Sequence, residues 1–266
     1  MHALWIYLKE NTKCGSKLTD VVCSQEDQIK CKSRWSVKKP ESKLGHPVQN
    51  IVRPQIFGQN YIRMRYIELE IGDPSRNIVE KIIRAASAEP SKHFSKIRKV
   101  LKVINPIDIL EKFERYRETV KKSSFEQYKK HPRTIIDGNE MLQFYGTTMT
   151  CCTGKTKVSE LCKDPCCRVC RIIQSGFNTA YNKASGIRLN TSSEELSEDI
   201  TVISRGKDVK RAVIVCRAIA GRVVNLDGDA SEQDCDSLGD GVHSRIEYLN
   251  LRNPSSVLAC FIMVFS

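Results

Sequence analysis

The chain has 266 residues, 40% of them hydrophobic and 28% charged, an ordinary balance for a globular protein with a buried core. No apolar run approaches the roughly 20 residues of a spanning helix, and Leu4-Trp5-Ile6-Tyr7-Leu8 is too short for a secretory leader. This excludes a helical membrane protein and leads to the expectation of a reducing compartment, nuclear or cytoplasmic, where twelve cysteines serve metal before disulfides.

In chain order, residues 1–60 read as a basic, loosely ordered extension. Cys14, Cys23 and Cys31 are scattered among lysines and turn residues, and no Cys-x2-Cys with a matched histidine pair supports a zinc finger there. A single domain is expected over 61–266. Ile62, Met64, Tyr66, Leu69 and Ile71 alternate as a strand does, and Asp73-Pro74 reads as helix cap and first residue before the stripe Ile78, Val79, Ile82, Ile83 and Ala86. A further element spans Ile97 to Ile104. Asn105-Pro106 then opens a helix with Ile109, Phe113, Tyr116 and Val120 on one face, and Lys121 to Pro132 reads as a basic connector.

Charge concentrates in this region. The net charge is +12, and residues 91–135 hold 13 Lys/Arg against 5 Asp/Glu, a net of +8 that invites nucleic acid or another acidic ligand. The same stretch also reads as a solvated helix face, because Glu111, Glu114 and Glu118 sit among Lys112, Arg115 and Arg117. It carries no recognisable base-reading motif.

The stretch from Asn139 to Phe177 organises the rest. A strand through Met141, Leu142 and Phe144 reaches Gly146 and two threonines, where the backbone can approach a ligand closely. A loop over 151–170 follows with six cysteines, and Val169, Ile172, Ile173 and Phe177 make a short amphipathic helix closing at Gly176. Cys167-x2-Cys170 is a zinc-knuckle spacing. Cys162 lies just before it, and Cys151 or Cys152 completes a four-thiolate set, with the Cys166-Cys167 doublet leaving the register open. Beyond Gly176 the chain reads as β-rich, with strands near Ser185–Thr191, Arg211–Val224, Tyr248–Leu251 and Val257–Phe265 and turns through Asp227–Gly241. Asp227, Asp229 and Ser231 share part of a calcium-loop spacing, but Glu232 replaces the sixth-position glycine and Leu238 the closing glutamate. Helices first and strands later predict an α+β fold.

Asn139-Glu140-x-Leu142-x-Phe144-Tyr145-Gly146-Thr147-Thr148 resembles the strand carrying the His-Gly-Thr motif of poly(ADP-ribose) polymerase-like ADP-ribosyltransferases. Within that family the chain more closely resembles a group of plant zinc-finger-like proteins with such a C-terminal domain. The likeness runs collinearly through Gly72–Glu80, Leu101–Asn105, Phe113–Lys121, His131-Pro132-Arg133, Leu161-Cys162, Cys167–Ile173, Val215–Val223 and Asn253-Pro254. The resemblance implies a split β-sheet NAD-binding fold, and it supports Cys151, Cys162, Cys167 and Cys170 as a structural zinc set. It places Tyr145, Arg188 and Tyr248 in the slots of the catalytic histidine, tyrosine and glutamate, with Glu247 beside the last. It assigns Tyr145, Gly146, Thr147, Gly186 and Ser193 to NAD or ADP-ribose. Tyrosine has no anionic charge near neutral pH to stabilise an oxocarbenium-like state, and Arg188 adds a repulsive one. The expectation is a degenerate domain acting as a binding or interaction module for an unidentified protein partner. An active mono-ADP-ribosyltransferase with an altered triad and a nucleic-acid-binding protein are the alternatives.

Overall fold

Two long strands apolar on both faces, around Ala212–Cys216 and Val257–Val264, have to lie inside a sheet covered on each side. The computed structural model describes residues 65–86, 97–127, 132–151, 159–177, 186–192, 209–225, 235–241 and 246–265. The expected extension over 1–60, Cys152, Ser193 and the Asp227, Asp229 and Ser231 trio lie outside the described residues.

The strands are β1 (Tyr66–Glu68), β2 (Ile97–Val103), β3 (Glu140–Met149), β4 (Ile187–Asn190), β5 (Lys210–Ile219), β6 (Val223–Asn225), β7 (Ser237–Asp240), β8 (Tyr248–Leu251) and β9 (Val257–Phe265). The helices among the described residues are α1 (Pro74–Ala85), α2 (Ile107–Gln127), α3 (Pro132–Asp137) and α4 (Arg168–Ser175). The fold is α+β, with one mixed sheet in the order β1-β2-β9-β5-β3-β4-β8-β7-β6. All pairs are antiparallel except β6 with β7. β3 and β5 match residue for residue from Glu140–Ile219 to Met149–Lys210, whereas β3 meets β4 only at Phe144–Asn190. A five-strand half and a four-strand half are therefore joined by a single residue pair.

Strand alternation sorts the side chains onto two faces. On one face Met149, Ala212, Ile214, Leu189 and Leu251 pack with Val169, Cys170 and Ile173 of α4. On the other, Phe144, Val213, Val215 and Phe261 pack against Val79, Ile82 and Ile83 of α1. Further along that second face Ile219 and Leu258 take the expected α2 stripe, Ile109, Phe113, Tyr116 and Val120.

Helix α1 starts where expected. Asp73 is extended (φ −61°, ψ 127°), and its carboxylate accepts from the Ser75 and Arg76 N–H groups at 2.7 and 3.3 Å. Helix α2 runs to Gln127, so most of the expected basic connector is its last two turns. Asn105, expected as its cap, donates Nδ2 to the Ala259 carbonyl at 2.7 Å and ties the helix start to β9. The Leu238-Gly239-Asp240 segment, read as a turn, is β7, held in place by its pairing with Asn250, Leu249 and Tyr248.

A buried ion network locks α2 onto the sheet. Arg217, 1% exposed, grips Glu140 through Nε to Oε1 at 2.8 Å and Nη2 to Oε2 at 3.0 Å. Arg117 on α2 donates Nη2 to Glu140 and Nη1 to Glu114, and both guanidinium groups lie 5.1 Å from the Phe113 ring centre. Burial disfavours the Arg217 charge, but the hydrogen bonds and charge of Glu140 outweigh it and push its pKa up. Replacing Glu140 alone leaves two buried cations with only Glu114 to share. Glu140→Leu is expected to lower stability by about 3–5 kcal/mol in urea unfolding. The triple change Arg117→Leu, Glu140→Leu, Arg217→Leu should cost less than the single one. A loss under about 1 kcal/mol for Glu140→Leu would show that the network does not hold α2.

Candidate metal centre

Strand β3 ends in the buried Met149, and the chain turns at Thr150-Cys151 toward the thiol-rich loop. Asp164 shapes the loop's end. Its carboxylate accepts the Thr150 hydroxyl at 2.6 Å and the Cys166 N–H at 2.8 Å, and its carbonyl accepts the Cys167 N–H at 3.1 Å. That turn leads into α4 with Cys167 as its N-cap residue (φ −78°, ψ 91°), which makes no side-chain capping bond. The Cys-x2-Cys spacing thus places Cys167 at the cap and Cys170 one turn in, both at the positive end of the helix, where a thiolate is favoured.

Cys151 and Cys162 join them. The four Sγ atoms lie within 4.8 Å of one another, with Cys167 and Cys170 buried and the other two half-buried. Cys151 Sγ stands 3.8 Å from Cys167 Sγ and 3.6 Å from Cys170 Sγ. Tetrahedral coordination with metal–sulfur bonds of about 2.3 Å requires sulfurs about 3.8 Å apart, and these separations fit. The four cysteines can hold a metal ion, and an all-thiolate tetrahedral set is compatible with zinc. Of the Cys166-Cys167 doublet, Cys167 is in the cluster and Cys166 is exposed. Cys216 and Cys260 are buried in the sheet and are not members of this group.

The thiols perturb one another. Hydrogen bonds from Cys151 and Cys170 hold the Cys167 thiol well below its usual range. For Cys170 the bond with Cys151 lowers the pKa, but Cys167 and burial prevail and push it up to about 12. Two further donors point at Cys170 Sγ: the Cys162 N–H and the Tyr66 hydroxyl, each at 3.4 Å. Burial, aided by the neighbouring Cys170, raises the Tyr66 phenol far above its ordinary value, so it stays a donor. Neither Tyr66 nor Asp164 stood out in the sequence. An Asp-Pro pair ahead of Cys166 was a readable turn signal, whereas Tyr66 lies about a hundred residues from its partner and left none.

The triad slots do not converge. Tyr145 faces α4, its ring edge-on to Phe177 at 5.3 Å and 81°, and burial raises its phenol pKa. Arg188 and Tyr248 are brought together, the guanidinium 3.6 Å from the Tyr248 ring centre. They share a face with Asn190, which pairs with Phe144 on the α1 side, opposite Tyr145. Gly146 pairs with Val213, and Thr147 is buried. Gly186 has φ +74°, and a Cβ there would stand 2.6 Å from the Leu251 carbonyl oxygen, so backbone packing alone demands glycine. In the basic stretch, Lys99 is buried against Glu68 at 2.9 Å and Arg117 belongs to the internal network, whereas Arg98, Lys112, Arg115, Lys122 and Arg133 are exposed.

No protein-family model matches this chain, and no curated protein matches it. Among the described residues no helix is long and apolar enough to cross a membrane.

The loop turn should respond to acid through Asp164. The Thr150 hydroxyl, then the Cys166 N–H, hold its pKa below the free value. Its contribution is therefore fully present above the free carboxylate pKa and is lost as pH falls through the depressed one. The gap in melting temperature between wild type and Asp164→Asn should be widest near neutral pH and close on acidification. A gap independent of pH would show that the carboxylate charge is irrelevant to the turn.

Proposed function

We propose that this chain is an ADP-ribosyltransferase-like domain that has lost transfer activity and serves as a binding or interaction module, its fold locked by one structural zinc. The observation that carries the reading is the gathering of Cys151, Cys162, Cys167 and Cys170 with their sulfurs within 4.8 Å. Bound there, zinc would supply a crosslink with no open position for a reactive water, since all four ligands come from the chain. The crosslink would tie the end of β3, the loop and the start of α4 into one unit.

The near division of the sheet at Phe144–Asn190 suits a split-sheet fold. Absence of catalysis is favoured by the fate of the triad slots. Tyr145 is committed to Phe177, Arg188 lies on Tyr248, and none of the three offers a carboxylate for a developing oxocarbenium charge. Gly146 and Thr147, with Tyr145, Gly186 and Ser193, remain the positions through which NAD or ADP-ribose would be held.

Elemental analysis of the purified, folded chain is expected to give about one zinc per chain, as a four-cysteine structural site requires. Stripping it should lower the melting temperature sharply, because metal-binding energy is folding energy in such sites. Metal-free protein with an unchanged melting temperature would overturn the zinc. Incubation with NAD is expected to label neither the chain nor cell extract. Robust labelling abolished by Gly146→Trp would instead establish an active transferase.

A further inference from the structure

We propose that Tyr66 is a positioning residue of this metal centre, its phenolic O–H directing and electronically tempering the Cys170 thiolate. The inference rests on the zinc reading above and extends it to a residue outside the loop. Tyr66 is 1% exposed, and a hydroxyl buried that deeply needs a partner; Cys170 Sγ at 3.4 Å supplies it. The backbone of the same residue serves the same loop, since the Tyr66 and Arg65 N–H groups donate to the Ser159 carbonyl at 3.1 and 2.7 Å. Strand β1 lies at an edge of the sheet, and on its other side Tyr66 pairs with Val103. One residue thus connects the edge strand to the middle of the loop at Ser159 and to its far end at Cys170.

The chemistry explains why a hydroxyl belongs there. Four thiolates around a divalent ion leave two surplus negative charges in a half-buried site. Hydrogen bonds to sulfur disperse that charge and fix the orientation of the ligand. Cys170, one of the two buried ligands, receives the Cys162 N–H and the Tyr66 O–H together. The Tyr66 ring is packed in the core that also holds Leu101, Val103 and Val169. Tyr66→Phe therefore removes the donor and keeps the packing.

The test loads the full chain with zinc or cobalt(II) and measures affinity by chelator competition. Loss of an outer-shell donor of this kind is expected to weaken binding about 10–100-fold. The sulfur-to-cobalt charge-transfer band should move to lower energy in Tyr66→Phe, because a thiolate without its donor gives up an electron more easily. Tyr116→Phe, a change at a half-buried tyrosine that lies on α2, should leave both readings at wild type. Should Tyr66→Phe fail to fold, 3-fluorotyrosine at position 66 keeps the shape and strengthens the donor, and the band should then move to higher energy. Wild-type affinity and an unmoved band in Tyr66→Phe, or an unmoved band with fluorotyrosine, would overturn the role of Tyr66 and leave the zinc reading standing. Wild-type protein that binds neither metal would remove the zinc reading itself.

Discussion

Ten successive pairs between β3 and β5 decide where every other group can be. Because side chains alternate along a strand, this register sends Glu140, Leu142 and Phe144 to the α1 and α2 side and Tyr145, Thr147 and Met149 to the α4 side. At one end of the ladder Glu140 stands diagonal to Arg217 and closes the ion network. At the other, Thr150 and Cys151 emerge beside α4, where Asp164 and the thiols wait. A slip by one residue would turn Glu140 away from Arg217 and leave buried charges on both faces without partners. The network therefore acts on specificity of register as much as on stability, the use for which buried ionic groups are best suited.

The thiol cluster answers a different problem. The loop it gathers is rich in charged and turn residues, and among its described residues the side chains that pack into the core besides the thiols are Leu161 and Val169. A segment of that composition cannot offset its conformational entropy by apolar burial alone. A metal held by the four thiols would do so in few residues, and the segment already covers the edge strand β1 through Ser159. An uncovered edge invites pairing with other chains.

Much of this was legible in the residues. Asp73-Pro74 marked the start of α1, continuous apolar runs marked β5 and β9, and Cys-x2-Cys with Cys162 marked the ligand group. Each signal is local, written within a turn or a strand. What the sequence concealed is relational. β7 reads as a turn because Gly239 and Asp240 are poor strand formers, and it is a strand because β8 and β6 pair with it from either side. The last turns of α2 look like a basic connector because Lys121 and Lys122 lie away from the stripe that buries the helix. The separation of Tyr145 from Arg188 and Tyr248 depends on the relative phase of β3 and β4, which the single Phe144–Asn190 pair sets and no periodicity within either strand records.

The same distinction governs the charge. Counting lysines and arginines over 91–135 suggests one basic face, but a charge contributes to an external field only where solvent and ligand can meet it. Lys99 faces Glu68 at 2.9 Å with 8% of its side chain exposed, and Arg117 is enclosed by Glu114 and Glu140. Both are neutralised inside the fold by acids that the sequence places on other elements or one turn away. The exposed Lys112 has Asp108 at 4.0 Å on its own helix, and Lys121 has Glu118 at 2.9 Å. Such surface pairs are weak, each worth about 0–1 kcal/mol, and an incoming phosphate could break them. The buried ones are not available for exchange. Among the described residues of this stretch, the exposed cations are Arg98, Lys112, Arg115, Lys122 and Arg133, fewer than its composition implies.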